Sequence, residues 1–192
     1  MLRRLLLGLA LFVGLIGGVW SAKAQTVIDV TEGTIKPYPI AIPDFNAEPG
    51  TEDIARQISE VVRADLVSTG LFATGDPAAF IQKDLSIGLQ PRFADWRIIR
   101  QDGLVVAQVG RTPDGLLSVA FRIWDINGGE VYRIPVENRQ TGRIEQAAGQ
   151  SFTIAPDSWR RLAHKVADTI YTRLTGEDGF LDTRIVYVAE TG

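Results

Sequence analysis

The chain has 192 residues, a formal net charge of −3, no cysteine and a single histidine. An acidic chain without a basic cluster is poorly suited to nucleic acid or an anionic membrane surface. The lack of cysteine excludes a disulfide framework, a thiolate metal site and Cys-His catalysis, and one histidine excludes a multi-histidine metal site. From the start, Met1-Leu2-Arg3-Arg4 is a short basic region, and residues 5–19 form an apolar run without a charge. That run is short for a spanning helix, which needs about 20 residues. Ala22-Lys23-Ala24 supplies the small-x-small pattern of a leader cleavage site, so a secretory leader over residues 1–24 is expected, cut after Ala24. Loss of Arg3, Arg4 and Lys23 takes the charge from −3 to −6. No cysteine follows the run, which excludes lipid attachment to one. About 170 residues remain, enough for one self-sufficient core.

Residues 25–33 come next. Val27-Ile28-Asp29-Val30 alternates loosely as a strand does, and Gly33 ends it; Pro37 and Pro39 then impose an extended connection. Such a segment is either an edge strand of its own sheet or an arm that adds to a partner's sheet, and pattern alone favours the edge strand. Residues 39–45, punctuated by Pro39 and Pro43, read as a short buried strand, and residues 46–50 as a turn.

A helix over residues 52–69 follows, with Thr51 expected to cap it through its hydroxyl and with Glu52 and Asp53 at the positive end of its dipole. Ile54, Ile58, Val61, Val62 and Leu66 recur at helical spacing, opposite Arg56, Glu60 and Arg63. Asp65 lies inside the apolar arc, where a carboxylate needs donors, so a structural hydrogen bond is expected for it. Gly70 ends the helix.

Residues 77–81 suggest a helical turn and residues 93–100 a short helix. Residues 104–109, 117–126 and 131–137 then read as three strands of an antiparallel meander, joined at Thr112-Pro113-Asp114-Gly115 and Asn127-Gly128-Gly129. Pro135 places the third at an edge or a bulge. Residues 138–150 read as a polar connection and residues 151–154 as another short strand. Pro156-Asp157-Ser158 opens a second long helix with Trp159, Leu162, Val166, Ile170 and Leu174 as its core stripe, stopped by Gly176. His164 and Asp168 are four apart on that helix and within reach of each other. They are either a proton-transfer pair or, preferably, a hydrogen bond on the helix flank. Residues 183–188 form a strand signal with no visible partner, which suggests that a further domain follows.

No nucleophile motif, phosphate-cradling loop, dinucleotide fingerprint or calcium loop is present in the sequence. Catalytic residues, metal ligands and cofactors are all assigned as none, and an interaction module is the reading that remains. The expected class is α/β (α+β), a mixed sheet with an antiparallel meander packed against two main helices.

The stretch Tyr38-Pro39-Ile40-Ala41-Ile42-Pro43-Asp44-Phe45 carries a resemblance, as do Glu52-Asp53-Ile54 and Ala64-Asp65-Leu66-Val67-Ser68-Thr69-Gly70-Leu71-Phe72. Val106-Ala107-Gln108-Val109-Gly110, the helix from Trp159 to Asp168, Leu174-Thr175-Gly176 and Thr183-Arg184-Ile185-Val186-Tyr187-Val188 follow in the same order. Together they resemble the N-terminal domain of the TolB family, the periplasmic component of the Tol-Pal system of Gram-negative bacteria. The resemblance implies a leader at 1–24, a partner-binding arm at 25–36 and an α/β domain at 37–178. Residues 179–192 would be a linker and the first strand of the family's six-bladed β-propeller, the rest of which is absent from this sequence.

The resemblance further implies that the arm engages TolA, reversing the edge-strand preference, through Gln25, Thr26, Val27, Ile28, Asp29, Val30, Thr31, Glu32 and Gly33. Pal, the family's lipoprotein partner, would be reached only through the missing propeller. No nucleic acid and no direct membrane anchor are implied. The arm would exchange between its own domain and TolA, linking TolQ-TolR-TolA to release of Pal, outer-membrane integrity and envelope constriction during division. Two rival readings are a free-standing periplasmic adaptor of the same superfamily and a small hydrolase built on Asp65 or on His164 and Asp168.

Overall fold

The computed structural model describes residues 36–182. The expected leader, the expected arm at residues 25–33 and the strand expected at 183–188 lie outside the described residues.

One strand organises the sheet. Strand β4, Gly103–Arg111, is buried on both faces over most of its length. Leu104 and Val106 point to one side, and Val105, Ala107 and Val109 to the other. Strand β1, Tyr38–Ala41, and the two-residue β2, Asn46–Ala47, run parallel to it on one side. Beyond β1 lies β3, Phe72–Thr74, also parallel. On the other side β5, Leu117–Asp125, pairs antiparallel with β4 along all nine residues. Residues 39–45 are therefore not one strand. The ladder stops at Ala41 and resumes at Asn46, within the stretch expected to be a turn, with Pro43 in the gap unable to donate to it.

Helices α1, Glu52–Ser68, and α3, Trp159–Thr175, pack side by side on one face. Ile58, Val62 and Leu66 meet Leu162, Val166 and Ile170 over Val119, Phe121 and Ile123 in one core. Gly176 ends α3 at φ 81°, a left-handed conformation that costs glycine no Cβ clash. Arg63, expected on the solvent face of α1, instead tucks back, donating to the Ile42 carbonyl at 2.8 Å and to Asp44 at 3.0 Å.

The opposite face of the sheet is covered too. The six-residue helix α2, Phe93–Ile98, and the segment before it supply Trp96 and Phe80, which pack on Ala41, Leu104, Val106, Trp124 and Ile126. Gln82 Oε1 accepts from the Trp96 indole at 3.2 Å and from the Arg92 backbone at 2.9 Å, satisfying polar groups that this second core buries. The result is three layers.

The mixed sheet against two main helices is as expected, but the third meander strand goes elsewhere. Only β6, Glu130–Val131, continues the hairpin on β5. After Tyr132 and Arg133 the chain leaves the sheet, and β7, Ile134–Glu137, pairs with β8, Ile144–Ala147, as a separate ribbon. Pro135 within β7 has no N–H to donate, which suits a two-stranded ribbon and not a central ladder. The free half of β5 is taken by β9, Gln150–Ile154. The connection at 138–150 thus contains a strand that sequence did not reveal.

Candidate interaction site

The arm expected to bind a partner enters the domain at Lys36 and Pro37, both exposed. Its anchor is Tyr38. The backbone N–H of Tyr38 donates to the Leu71 carbonyl at 2.8 Å, and its ring meets Phe72 edge-on with centroids 6.3 Å apart. The Tyr38 and Tyr132 hydroxyls lie 3.4 Å apart. Burial first, and then that contact, push the Tyr38 phenol well above its ordinary pKa. Whatever precedes Tyr38 therefore starts from a fixed, half-buried aromatic root.

Tyr132 is also a wall of a half-open groove of about 1060 Å³ between β6, β7 and α3. Glu130, Arg133, Ile134, Thr172 and Arg173 contribute to its lining. The Arg173 guanidinium lies over the Tyr132 ring at 4.8 Å and donates to the Arg133 carbonyl, tying the ribbon to α3. The root of the arm and this groove thus share Tyr132.

The titratable residues singled out in sequence come together differently from the way spacing suggested. His164 does not pair with Asp168. Its Nδ1 lies 2.6 Å from Asp65 Oδ2, across the joint between α1 and α3. Asp65 thereby receives the hydrogen bond that its place in the apolar arc demanded. Asp168 faces the end of the described chain, where its two oxygens accept the backbone N–H groups of Leu181 at 2.7 Å and Asp182 at 2.9 Å. A proton-transfer pair of His164 with Asp168 is therefore excluded, because each side chain is committed to another partner. A carboxylate and an imidazole at 2.6 Å can orient a base, and nucleophilic catalysis of the triad type would also need a hydroxyl on the free ring nitrogen. Among the described residues no serine or threonine hydroxyl is bonded to His164. Nor do the described residues contain a group of three or more histidine and acidic side chains placed to hold a metal ion. No described helix is long and apolar enough to cross a membrane.

Thr51 also departs from expectation. Its hydroxyl does not cap α1; it donates to the carbonyls of Glu48 at 2.7 Å and Val109 at 3.1 Å, pinning the helix start to β4. The Glu52 carboxylate instead folds back on the preceding turn, accepting the Gly50 N–H at 2.9 Å. Glu52's own backbone N–H and that of Gly50 hold this carboxyl below its usual range.

Comparison with known proteins gives this geometry its family. The chain is 43% identical over 191 residues to the Tol-Pal system protein TolB of Paramagnetospirillum magneticum. The match covers 98% of the chain but 39% of that relative, so the chain spans well under half of its length. The crystal structure of TolB from Acinetobacter baumannii shares the fold, with a TM-score of 0.55 at 22% identity, over 75% of this chain and 30% of that one. Residues 26–131 match the TolB amino-terminal domain, and the chain belongs to that family.

Proposed function

We propose that this chain is a non-enzymatic, periplasmic interaction domain of the Tol-Pal system that binds TolA through the arm at residues 25–33. Family membership carries the proposal. The local physics supports it in two ways. Val27, Ile28, Asp29 and Val30 have the alternation of a strand, so their backbone can add to a partner's sheet while alternate side chains select it. Tyr38, held by Leu71, Phe72 and Tyr132, gives such an arm a rigid root. Rigidity at the root lowers the ordering cost of binding, because the arm does not have to fix its attachment point as well as itself.

In this reading α1 and α3 bear no chemistry; they hold the sheet from which the arm departs. The arm exchanges between its own domain and TolA, a population shift between two placements of one segment. Through that exchange the domain contributes to outer-membrane integrity and to envelope constriction at division, and contact with Pal would need the family's propeller. The test is deletion of residues 25–32 followed by titration with purified TolA. Loss of binding with an unchanged melting curve supports the arm; binding at the original affinity refutes it.

A further inference from the structure

The end of the described chain is strapped to α3. Gly176 turns the backbone, and residues 179–182 then run back along the helix instead of leaving it. Four kinds of contact hold them. Asp168 accepts both the Leu181 and the Asp182 N–H, one per carboxylate oxygen. The Asp182 carboxylate in turn takes the Arg161 guanidinium at 3.2 Å and lies 3.9 Å from the Lys165 ammonium. Phe180 meets Tyr171 edge-on with centroids 5.3 Å apart, and Leu181 packs against the main core. Gly179 passes so close to Asp168 that a Cβ there would stand 2.5 Å from Oδ1.

The pattern on α3 is periodic. Arg161, Lys165 and Asp168 succeed one another at spacings of four and three, which places them on one flank of a helix. Their charges are matched to the strap, with cations for the side chain of residue 182 and an anion for two backbone donors. Arg161 and Lys165 occupy the N-terminal half of the helix, where its dipole gives cations no benefit. Both instead meet Asp182, and Lys165 also lies 6.0 Å from the centre of the Phe152 ring.

We propose that residues 179–182 form a strap that fixes the point and direction in which the polypeptide leaves this domain, and that Asp168 is its positioning residue. Asp168 is suited to this because a charged acceptor binding two adjacent N–H groups constrains the backbone direction as well as its position. The strap thereby sets the position and direction of the backbone at Asp182. A loose linker would let both vary. The strap is a joint of defined geometry, and releasing it would reorient the polypeptide beyond Asp182 without disturbing the core.

The absence of cysteine from the sequence makes a direct test simple. Two cysteines, replacing exposed Gln57 on α1 and Thr183 just beyond the strap, carry spin labels, and their separation is measured by pulsed electron resonance in the full 192-residue chain. A narrow distance distribution is expected. Asp168→Ala should broaden it at least two-fold, with Asp168→Asn intermediate because one oxygen acceptor remains. Gly179→Ala should broaden it with Asp168 intact. Amide exchange at Leu181 and Asp182 should accelerate at least ten-fold in Asp168→Ala while that of β4 and β5 stays unchanged. A merely stabilising role for Asp168 would lower the melting temperature and leave the distribution narrow. That result, or a broad distribution in the parent chain, overturns the proposal.

Discussion

His164 and Asp65, 99 residues apart in sequence, meet at 2.6 Å and join the two helices that cover the sheet. His164 keeps about a third of its side chain exposed and Asp65 about a sixth, at 34% and 17%. Solvent therefore screens the pair, and its worth lies within the modest range of a partly exposed hydrogen bond. In a double-mutant cycle of His164→Ala and Asp65→Ala, a coupling of about 0.5–1 kcal/mol is expected, with each single variant melting roughly 2–4 °C lower. A cycle that closes to zero would mean that the contact is incidental. Binding to TolA should be untouched in either variant, and loss of function in His164→Ala despite a folded domain would revive a chemical role for this pair.

Thr51 separates two accounts of how α1 begins. An N-cap threonine is replaced well by aspartate or asparagine, since both present an acceptor to the first N–H groups. In this fold the hydroxyl is a donor facing the carbonyls of Glu48 and Val109. Thr51→Asp would set a carboxylate against two carbonyl oxygens in a site only 2% exposed, and should cost about 2 kcal/mol or more. Thr51→Ser should cost less than about 1 kcal/mol, and Thr51→Val about 1 kcal/mol, since Val109 O keeps the Glu48 N–H. Urea unfolding of the three variants orders them; a neutral Thr51→Asp would restore the capping role.

Tyr38 predicts a specific alkaline behaviour. Burial beside Tyr132 raises its folded pKa above the unfolded value of about 10. Above that pH the unfolded chain gives up the phenolic proton and the folded chain keeps it. The stability contributed by the neutral phenol is therefore complete below pH ~10 and declines as pH rises further, with a slope approaching about 1.4 kcal/mol per pH unit. Tyr38→Phe should remove one proton's worth of that slope when melts are compared between pH 9 and 11. Equal slopes in parent and variant would show that the phenol ionises freely in the folded state.

Legibility in the sequence followed periodicity. Helices α1 and α3 and strands β4 and β5 carry long regular apolar patterns and were readable within a few residues. The second core was not, because Phe80, Trp96 and Trp124 come from a loop, a six-residue helix and the end of a strand, none with a full period. Strand β8 was missed for a related reason: Ile144, Glu145 and Gln146 are all exposed, so the ribbon leaves no burial signature. The partner of Asp65 was in principle findable. A carboxylate in an apolar arc required a donor, and the chain's single histidine sits on the flank of the other long helix. Helical spacing drew attention to Asp168 instead, which lies four residues away but faces the strap. The strap itself read as linker, because backbone N–H donors leave no mark in a sequence. The arm residues 25–33 lie outside the described residues, and their assignment rests on the family.

The central claim is that those residues, and not the folded body, make the contact with TolA. The most direct measurement is calorimetric titration of TolA into the mature chain and into the same chain lacking residues 25–32, with thermal melts of both. The account predicts that the truncated chain gives no binding heat and melts within about 1 °C of its parent, since Tyr38 and its partners remain. Undiminished binding by the truncated chain would contradict it.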